Sequence, residues 1–386
     1  MFSSFDRLGA VLIWLSFAAL FYVYVGYPLL LSLAALFFKS RQAALGYFPT
    51  ISVLIAAYNE EVGIQKKIDQ TLALDYPADR IEIIVLSDCS TDRTDEIVRS
   101  FIDPRVRLFR APIRKGKTNA QNLGVEIAKG EVLIFSDATT VYHPLALQFL
   151  ATNYVDPKVG AVSGRYQYLD PEGGSPTGSG MTTFWNYENF IKTMQSRIRT
   201  ISGCCGCIYS IRREAYTLLQ PDVISDLVQP LWVIRKGYRV VFEDRALAYE
   251  ETTKSSKEEF SMRVRVVTRG IRGVLSVGEL LNPAKHGWVS FQLLSHKVLR
   301  WLVPLFLLLL FISNAALWSH SWYGLLFGLQ IGFYGFALLA ILVPLHRLWK
   351  PLGLPLYFCT LNAAALRSIV EVVRGRKYVV WETVRG

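Results

Sequence analysis

Hydrophobic and polar positions divide the chain into an apolar start, an alternating middle and an apolar end. Residues 8–38 are almost wholly apolar, more than the roughly 20 residues a bilayer crossing takes, and they predict a membrane helix kinked or tilted at Gly26 and Pro28. Neither a basic leader nor a small-residue cleavage site accompanies this run, so a retained anchor is expected rather than a signal peptide. From Ile51 the pattern changes to short buried-type strands alternating with helices. Strands are expected at Ile51–Ala57, Ile81–Ser87, Val106–Phe109 and Val132–Phe135, with helices running to about Leu74, to about Phe101, and over Lys117–Lys129. Such alternation predicts an α/β fold with a parallel, doubly wound sheet. Residues 156–180, rich in Gly, Pro and Ser around Gly173–Pro176, read as a mobile loop.

Past His286 an amphipathic stretch, Trp288–Leu299, leads into the apolar runs Leu302–Trp318 and Trp322–Leu345, each long enough to cross a bilayer. The run Leu352–Leu366, broken by Pro355 and Asn362, is too short to span and is expected to be interfacial or re-entrant. The parts are therefore residues 1–40, one membrane helix; 48–281, the α/β domain; and 282–386, interfacial helices with two further membrane helices.

Composition supports this division. With 52% hydrophobic residues, a mean hydropathy of +0.28 and 19% charged residues, the chain is too apolar for an ordinary soluble domain and too charged for a purely embedded one. Lys39 and Arg41, Arg347 and Lys350, and Arg374, Arg376 and Lys377 flank the apolar runs, so the positive-inside rule puts the α/β domain in the cytoplasm of a multi-pass protein of the cell (inner or plasma) membrane. The net charge of +11 sits largely beside apolar segments, as in Arg263–Arg272, which fits anionic lipid or a phosphorylated substrate and not nucleic acid. Five cysteines without paired CxxC spacing exclude a tetrahedral zinc site and fit a reducing compartment.

Chemistry is expected at the carboxyl edge of the sheet, where Asp88 and Asp137 end their strands. Asp137, followed by small hydroxyl residues, can hold a divalent cation through hard oxygen; an Asx-turn closing the strand is the plainer reading. No Gly-x-Gly-x-x-Gly and no Walker loop occurs, which disfavours a Rossmann dinucleotide site and a P-loop NTPase. Arg114-Lys115-Gly116-Lys117 at a helix start suits a diphosphate, or is a solvated basic turn. Arg265, Arg269 and Arg272 make one basic stripe.

The segments Ile51–Glu61, Ser87-Asp88-Cys89-Ser90-Thr91-Asp92, Gly116-Lys117 with Asn122, and Phe135-Ser136-Asp137-Ala138-Thr139 together resemble family 2 inverting glycosyltransferases. The resemblance implies a GT-A-type, Rossmann-like domain with flanking transmembrane and interfacial helices, a nucleotide-sugar donor (UDP-sugar by family habit) and Mg²⁺ or Mn²⁺. It implies that Ala57, Tyr58, Glu60 and Asp88 hold the nucleoside, that Lys117 and Asn122 belong to the donor side, and that Asp137 with Thr139 stands for the metal-binding DxD motif, Thr139 replacing its second aspartate. Gly203–Tyr209 resembles the segment lining the donor-sugar pocket, or is simply tight packing. Ile224-Ser225-Asp226-Leu227 resembles the TED motif, making Asp226 the catalytic base; an N-cap is the plainer role, and Asp222 and Glu214 are the fallback bases. Phe260–Gly270 resembles the Q(Q/R)xRW segment, with Arg263 and Arg265 contacting diphosphate, Met262 in place of the glutamine and Val266 in place of the tryptophan that supports a growing polymer. The expected acceptor is a lipid-linked or free glycan at the bilayer, extended by one or a few sugars. The alternatives are transfer to a polyprenyl phosphate, processive synthesis with secretion through a conduit that needs a homo-oligomer, and a non-catalytic scaffold.

Overall fold

The computed structural model describes residues 4–39, 43–169, 178–251, 256–343, 345 and 348–380. Gly173–Pro176, Arg41 and Arg347 lie outside the described residues. The chain starts with α1 (Ser4–Phe21) and α2 (Tyr27–Ala35), joined by one π-helical turn, Tyr22–Gly26. This widened turn stands where a kink is expected. Pro28 has no N–H for the Tyr24 carbonyl four residues back, and that oxygen instead accepts from the Tyr187 hydroxyl at 3.3 Å.

The α/β unit runs through β1 (Ile51–Ala57), α3 (Ile64–Leu72), β2 (Ile81–Ser87), α4 (Thr94–Arg99), β3 (Val106–Arg110), α5 (Gly116–Ile127), β4 (Val132–Asp137), β5 (Val141–Tyr142), α6 (Ala146–Thr152), β6 (Val159–Leu169), α7 (Gly178–Ile198), β7 (Ile208–Arg212), α8 (Ser225–Arg235), β8 (Arg239–Glu251) and α9 (Ser256–Ser276). The eight strands form one sheet in the order β3-β2-β1-β4-β7-β6-β8-β5. β1 to β4 are mutually parallel, as expected. The second half corrects the all-parallel expectation. β7 runs antiparallel to both β4 and β6, β8 is parallel to β6, and β5 is antiparallel to β8. The regular βα repeat that predicts a parallel sheet stops at Asp137, and the later strands enter by longer, irregular connections. Residues 156–180 are likewise not one loop: β6 and the start of α7 occupy both ends of that stretch.

Every residue of β1 is buried, and β4 is buried up to Asp137, because helices cover both faces of the sheet. Val53, Ile55, Ile83, Val85 and Ile134 pack on one face; Leu54, Ile84, Leu86, Leu133 and Phe135 pack on the other. β1 has β2 on one side and β4 on the other, and β2 leads outward while β4 leads onward, so the crevice lies at the carboxyl ends of these strands.

After α9 come α10 (Pro283–His286), α11 (Trp288–Leu293), a π turn at Leu294–Val298, α12 (Leu299–Ala316), α13 (Ser321–Leu342) and α14 (Leu354–Val373). Among the described residues, four helical stretches are long and apolar enough to cross a membrane: Asp6–Ala35, Trp288–Ala316, Ser321–Leu342 and Pro351–Val373. The last is longer than the sequence pattern indicates, because its polar breaks are satisfied within the helix. Pro355 sits in the first turn, Asn362 donates to the Phe358 carbonyl at 2.9 Å, and Arg367 pairs with Glu371 one turn on at 2.6 Å. Both halves of α14 nonetheless contact α9: Arg263 donates to the Tyr357 hydroxyl at 3.1 Å, and Ser368 donates to the Val264 carbonyl at 3.1 Å. The helix therefore lies against α9, and it packs on α12 and α13 as well.

Ile134 has no exposed surface and sits between β1 and β7. Ile134→Ala is expected to cost about 2–5 kcal/mol of stability, read as an earlier thermal melt of the detergent-solubilised chain.

Candidate active site

Strand ends, two helix starts and the small-residue segment before β7 meet around a cavity of about 790 Å³. Asp137, at the end of β4, projects into it and forms an ion pair with Lys117, the second residue of α5. The Lys117 ammonium also donates to the Gly206 carbonyl at 3.2 Å. Burial alone would make this ammonium easier to deprotonate, but the Asp137 charge more than compensates and holds its pKa above the ordinary lysine value. The Gly203–Cys207 segment is glycine-rich for a steric reason: a Cβ on residue 206 would stand 2.7 Å from the Asp226 Oδ2. Asp226 lies in the first turn of α8, and its backbone carbonyl accepts from the Cys204 amide at 2.8 Å. Its carboxyl is pushed up by burial, with Lys117 and Lys192 pulling it back. Asp137, Lys117, Gly206 and Asp226 thus form one continuous run of contacts from the sheet edge to α8.

Glu250, near the end of β8, completes the acidic side of the cavity and was not anticipated from the sequence. Its two oxygens accept from Thr139 Oγ1 and from the Tyr166 hydroxyl, each at 2.7 Å. Burial raises its pKa, and the nearby Asp137 charge raises it further. Its signal in the sequence, an acidic pair at the end of a strand, is distant from every motif. Lys67 was also missed. It is buried on α3 and donates to the Thr140 carbonyl at 2.6 Å, pinning the turn after Asp137, and burial brings its ammonium down to about 7.

The remaining expected residues divide. Glu60, Arg263 and Arg265 line the cavity. The Arg263 guanidinium is held by Glu259 at 2.7 Å and by Tyr357, so it ties α9 to α14. Ala57, Tyr58 and Asp88 stand together in the crevice beside the cavity. The Ala57 carbonyl accepts from the Asp88 amide at 2.9 Å, and the Arg114 guanidinium lies 3.7 Å from the centre of the Tyr58 ring. The Asp88 carboxylate accepts from the amides of Lys115 and Gly116 at 3.0 and 2.8 Å, which fixes the start of α5. Gly116 has a φ of +84°, a conformation that favours glycine, and a Cβ there would come within 2.1 Å of the Val379 carbonyl oxygen. The segment after α14 therefore packs directly on the basic turn.

Asn122 is a correction. Its amide donates to the Leu219 carbonyl at 2.7 Å, and its oxygen accepts from the Tyr216 hydroxyl and the Leu219 amide, so its side chain braces the β7–α8 connection rather than facing the cavity. The fallback bases also lie elsewhere. Asp222 pairs with Arg272 at 3.2 Å and Lys377 at 3.6 Å, while the exposed Glu214 meets Arg212 and Tyr238. Val266 lines the cavity as expected, and so does Trp301 from α12, which packs against Gly270.

Among the described residues no three His, Cys, Asp or Glu side chains gather closely enough to hold a metal ion by themselves. Asp137, Glu250 and the Thr139 hydroxyl all line the cavity and offer oxygen ligands of the kind a hard divalent cation takes.

A mixed sheet with its polar crevice at the carboxyl ends of β1, β2 and β4 defines a GT-A-type fold. Residues 52–219 match the Glycosyl transferase family 2 model, and the chain carries a domain of that family. It is 29% identical over 235 residues to the probable glycosyltransferase YdaM of Bacillus subtilis, covering 56% of this chain and 54% of that protein. It is also 29% identical over 222 residues to the poly-beta-1,6-N-acetyl-D-glucosamine synthase of Staphylococcus epidermidis, covering 56% and 53%. The chain spans about half the length of these curated relatives. Among solved structures, the mannosyltransferase PcManGT from Pyrobaculum calidifontis, in complex with GDP-Man and Mn²⁺, superposes with a TM-score of 0.72 at 21% identity, over 96% of this chain and 99% of that one. That match extends the shared fold through the membrane helices.

Gly206→Ala tests the packing behind Asp226. The new methyl displaces the Asp226 carboxylate, and turnover is expected to fall about a hundredfold, as for misplacements of around 1 Å. A near-native melting curve in the same variant separates this from loss of fold.

Proposed function

We propose that the chain is an inverting glycosyltransferase of the cell membrane that moves a sugar from a nucleotide-sugar to a membrane-borne glycan or glycolipid. The observation that carries this reading is the run Asp137–Lys117–Gly206–Asp226, placed in a cavity whose far wall is built from membrane-helix residues such as Tyr24 and Trp301. Asp226 takes the proton from an acceptor hydroxyl, whose oxygen attacks the anomeric carbon as the bond to the diphosphate breaks. Lys117 and Arg265 face the departing diphosphate. A divalent cation held by Asp137, with Glu250 and Thr139 beside it, supplies further neutralisation of that charge when bound. Tyr58, Asp88 and the Arg114–Gly116 turn form the nucleoside side. A catalytic domain facing the cytoplasm, where nucleotide-sugars are made, agrees with the basic residues flanking the apolar runs. α14 lies along the domain face in this reading, leaving three crossings.

The test is a panel of UDP- and GDP-sugars on the full chain in detergent, reading nucleoside diphosphate release with Mn²⁺ or Mg²⁺. At least one donor is expected to give metal-stimulated release. Asp137→Ala should abolish the stimulation, because the Thr139 hydroxyl cannot replace the lost charge; donor affinity indifferent to Mn²⁺ in both forms would remove the metal from the mechanism.

Asp226→Asn is expected to lower transfer by about 10²–10⁴-fold, the range for removing a general base, while donor binding stays within twofold. Since burial raises the Asp226 pKa, wild-type kcat/KM should rise with pH along a limb above the usual carboxylate range, and the residual activity of Asp226→Asn should lack that limb. A variant that turns over normally would exclude Asp226.

A further inference from the structure

Beyond Asp226 the cavity continues between α7 and the start of α12, and there its charges do not balance. Glu188 on α7 is buried and serves several groups at once: it pairs with Arg300, with Lys297 at 3.6 Å and with His296 at 3.1 Å. One turn further along α7 stands Lys192, 3% exposed, with its ammonium among the cavity-lining groups. Among the described residues no carboxylate pairs with it. Its neighbours are the rings of Trp185, 5.5 Å away, and Phe242, 5.9 Å away. Lys297 and Arg300 draw on Glu188, and the carboxylate that acts on Lys192 from a distance is Asp226. Counting Asp226, whose charge is already shared with Lys117, still leaves a surplus. A buried ammonium without an anion is strongly disfavoured unless something supplies the missing charge.

The order of groups along the cavity indicates what that anion is attached to. Asp226 acts on Lys192 and Lys297, Lys297 and Arg300 share Glu188, and Arg300 in turn acts on Tyr24. Next comes a wall of Tyr24, Leu354, Phe358 and Leu361 from α14 and the π turn between α1 and α2. A reacting hydroxyl, a phosphate and a hydrocarbon chain occur in this order in a lipid-linked sugar. We propose that Lys192, Lys297 and Arg300 form a subsite for the phosphate or diphosphate of a lipid-linked acceptor, with its apolar chain leaving along α14. Guanidinium and ammonium groups bind phosphate oxygens by charge-assisted hydrogen bonds. Glu188 holds Arg300 and Lys297 in place, and Lys192 supplies the unmatched charge. This assignment deepens the glycosyltransferase reading and rests on it for the role of the lipid as acceptor.

The experiment measures binding of geranylgeranyl diphosphate and of geranylgeraniol to the full chain in detergent, with UDP or GDP and Mn²⁺ saturating the donor side. The diphosphate is expected to bind at least about tenfold more tightly than the alcohol. Lys192→Met should remove that preference, and Lys192→Arg, which keeps the charge, should retain it. Equal binding of the two lipids, or a preference that survives Lys192→Met, overturns the proposal. Competition by inorganic pyrophosphate as strong as that by the lipid diphosphate overturns the apolar part of the site. Competition by phosphatidylglycerol, tested in parallel, tells a bilayer phospholipid from an isoprenoid as the source of the phosphate. Nucleotide binding is measured separately, so failure of the glycosyltransferase reading shows as loss of nucleotide affinity and not as loss of lipid discrimination.

Discussion

The ion pair between Lys117 and Asp137 is the interaction on which the arrangement of the candidate site depends. It joins the end of the last parallel strand to the first turn of α5, and through the Gly206 carbonyl it reaches the segment against which Asp226 packs. A lysine in such a buried place keeps its charge only because a carboxylate stands beside it. The same ammonium then faces whatever anion enters the cavity. One side chain therefore couples the parallel half of the sheet, the antiparallel half and the α8 start. The backbone joins the same parts close by, through the pairing of Ser136 with Ile208 and the bond from the Cys204 amide to the Asp226 carbonyl.

A second cluster of charges fastens the α/β unit to the membrane part. Glu188 gathers Arg300, Lys297 and His296 from the π turn and the beginning of α12. Gln195, one face further along α7, donates to the Tyr27 hydroxyl of α2 at 2.8 Å and meets His296 at 3.3 Å. Helix α7 is thus a polar spine between the sheet and the apolar helices. Burial strengthens each of these contacts and makes the loss of any one partner costly. The cavity runs alongside this spine, so its shape is set jointly by the α/β unit and by the apolar helices.

The parts of the fold legible in the sequence were those governed by local periodicity. Strands β1, β2 and β4 are largely apolar runs, broken only by Ser52 and Glu82 before Ser87 and Ser136-Asp137 close the last two, and the first two apolar runs past His286 stand out by length alone. The antiparallel return of β7 was not legible, because strand direction is set by a connection through α7 and Gly203–Cys207 and leaves no period behind. Glu250 was missed because its partner Thr139 lies 111 positions away, and only the pairing of β8 with β6 and β5 brings it to the edge where β4 ends. Asn122 was drawn into the donor side by its place near Lys117. On α5, however, five residues turn a side chain to a different face, and Asn122 points at Tyr216 and Leu219. The extent of α14 was hidden by Pro355 and Asn362, whose polarity is absorbed in the helix itself.

The contact of Val379 with Gly116 has a consequence for how the molecule is made. The α/β domain is translated in full before α10, yet the backbone that covers its basic turn comes from beyond the final apolar helix. A nascent chain emerging from the ribosome can fold the sheet and bury its core while that turn is still bare. The cover arrives only once every apolar helix has left the exit tunnel and found its place. Covering of the basic turn is thereby timed to follow synthesis of the whole apolar part, and a polypeptide arrested before its last helix carries a sheet with an unfinished wall.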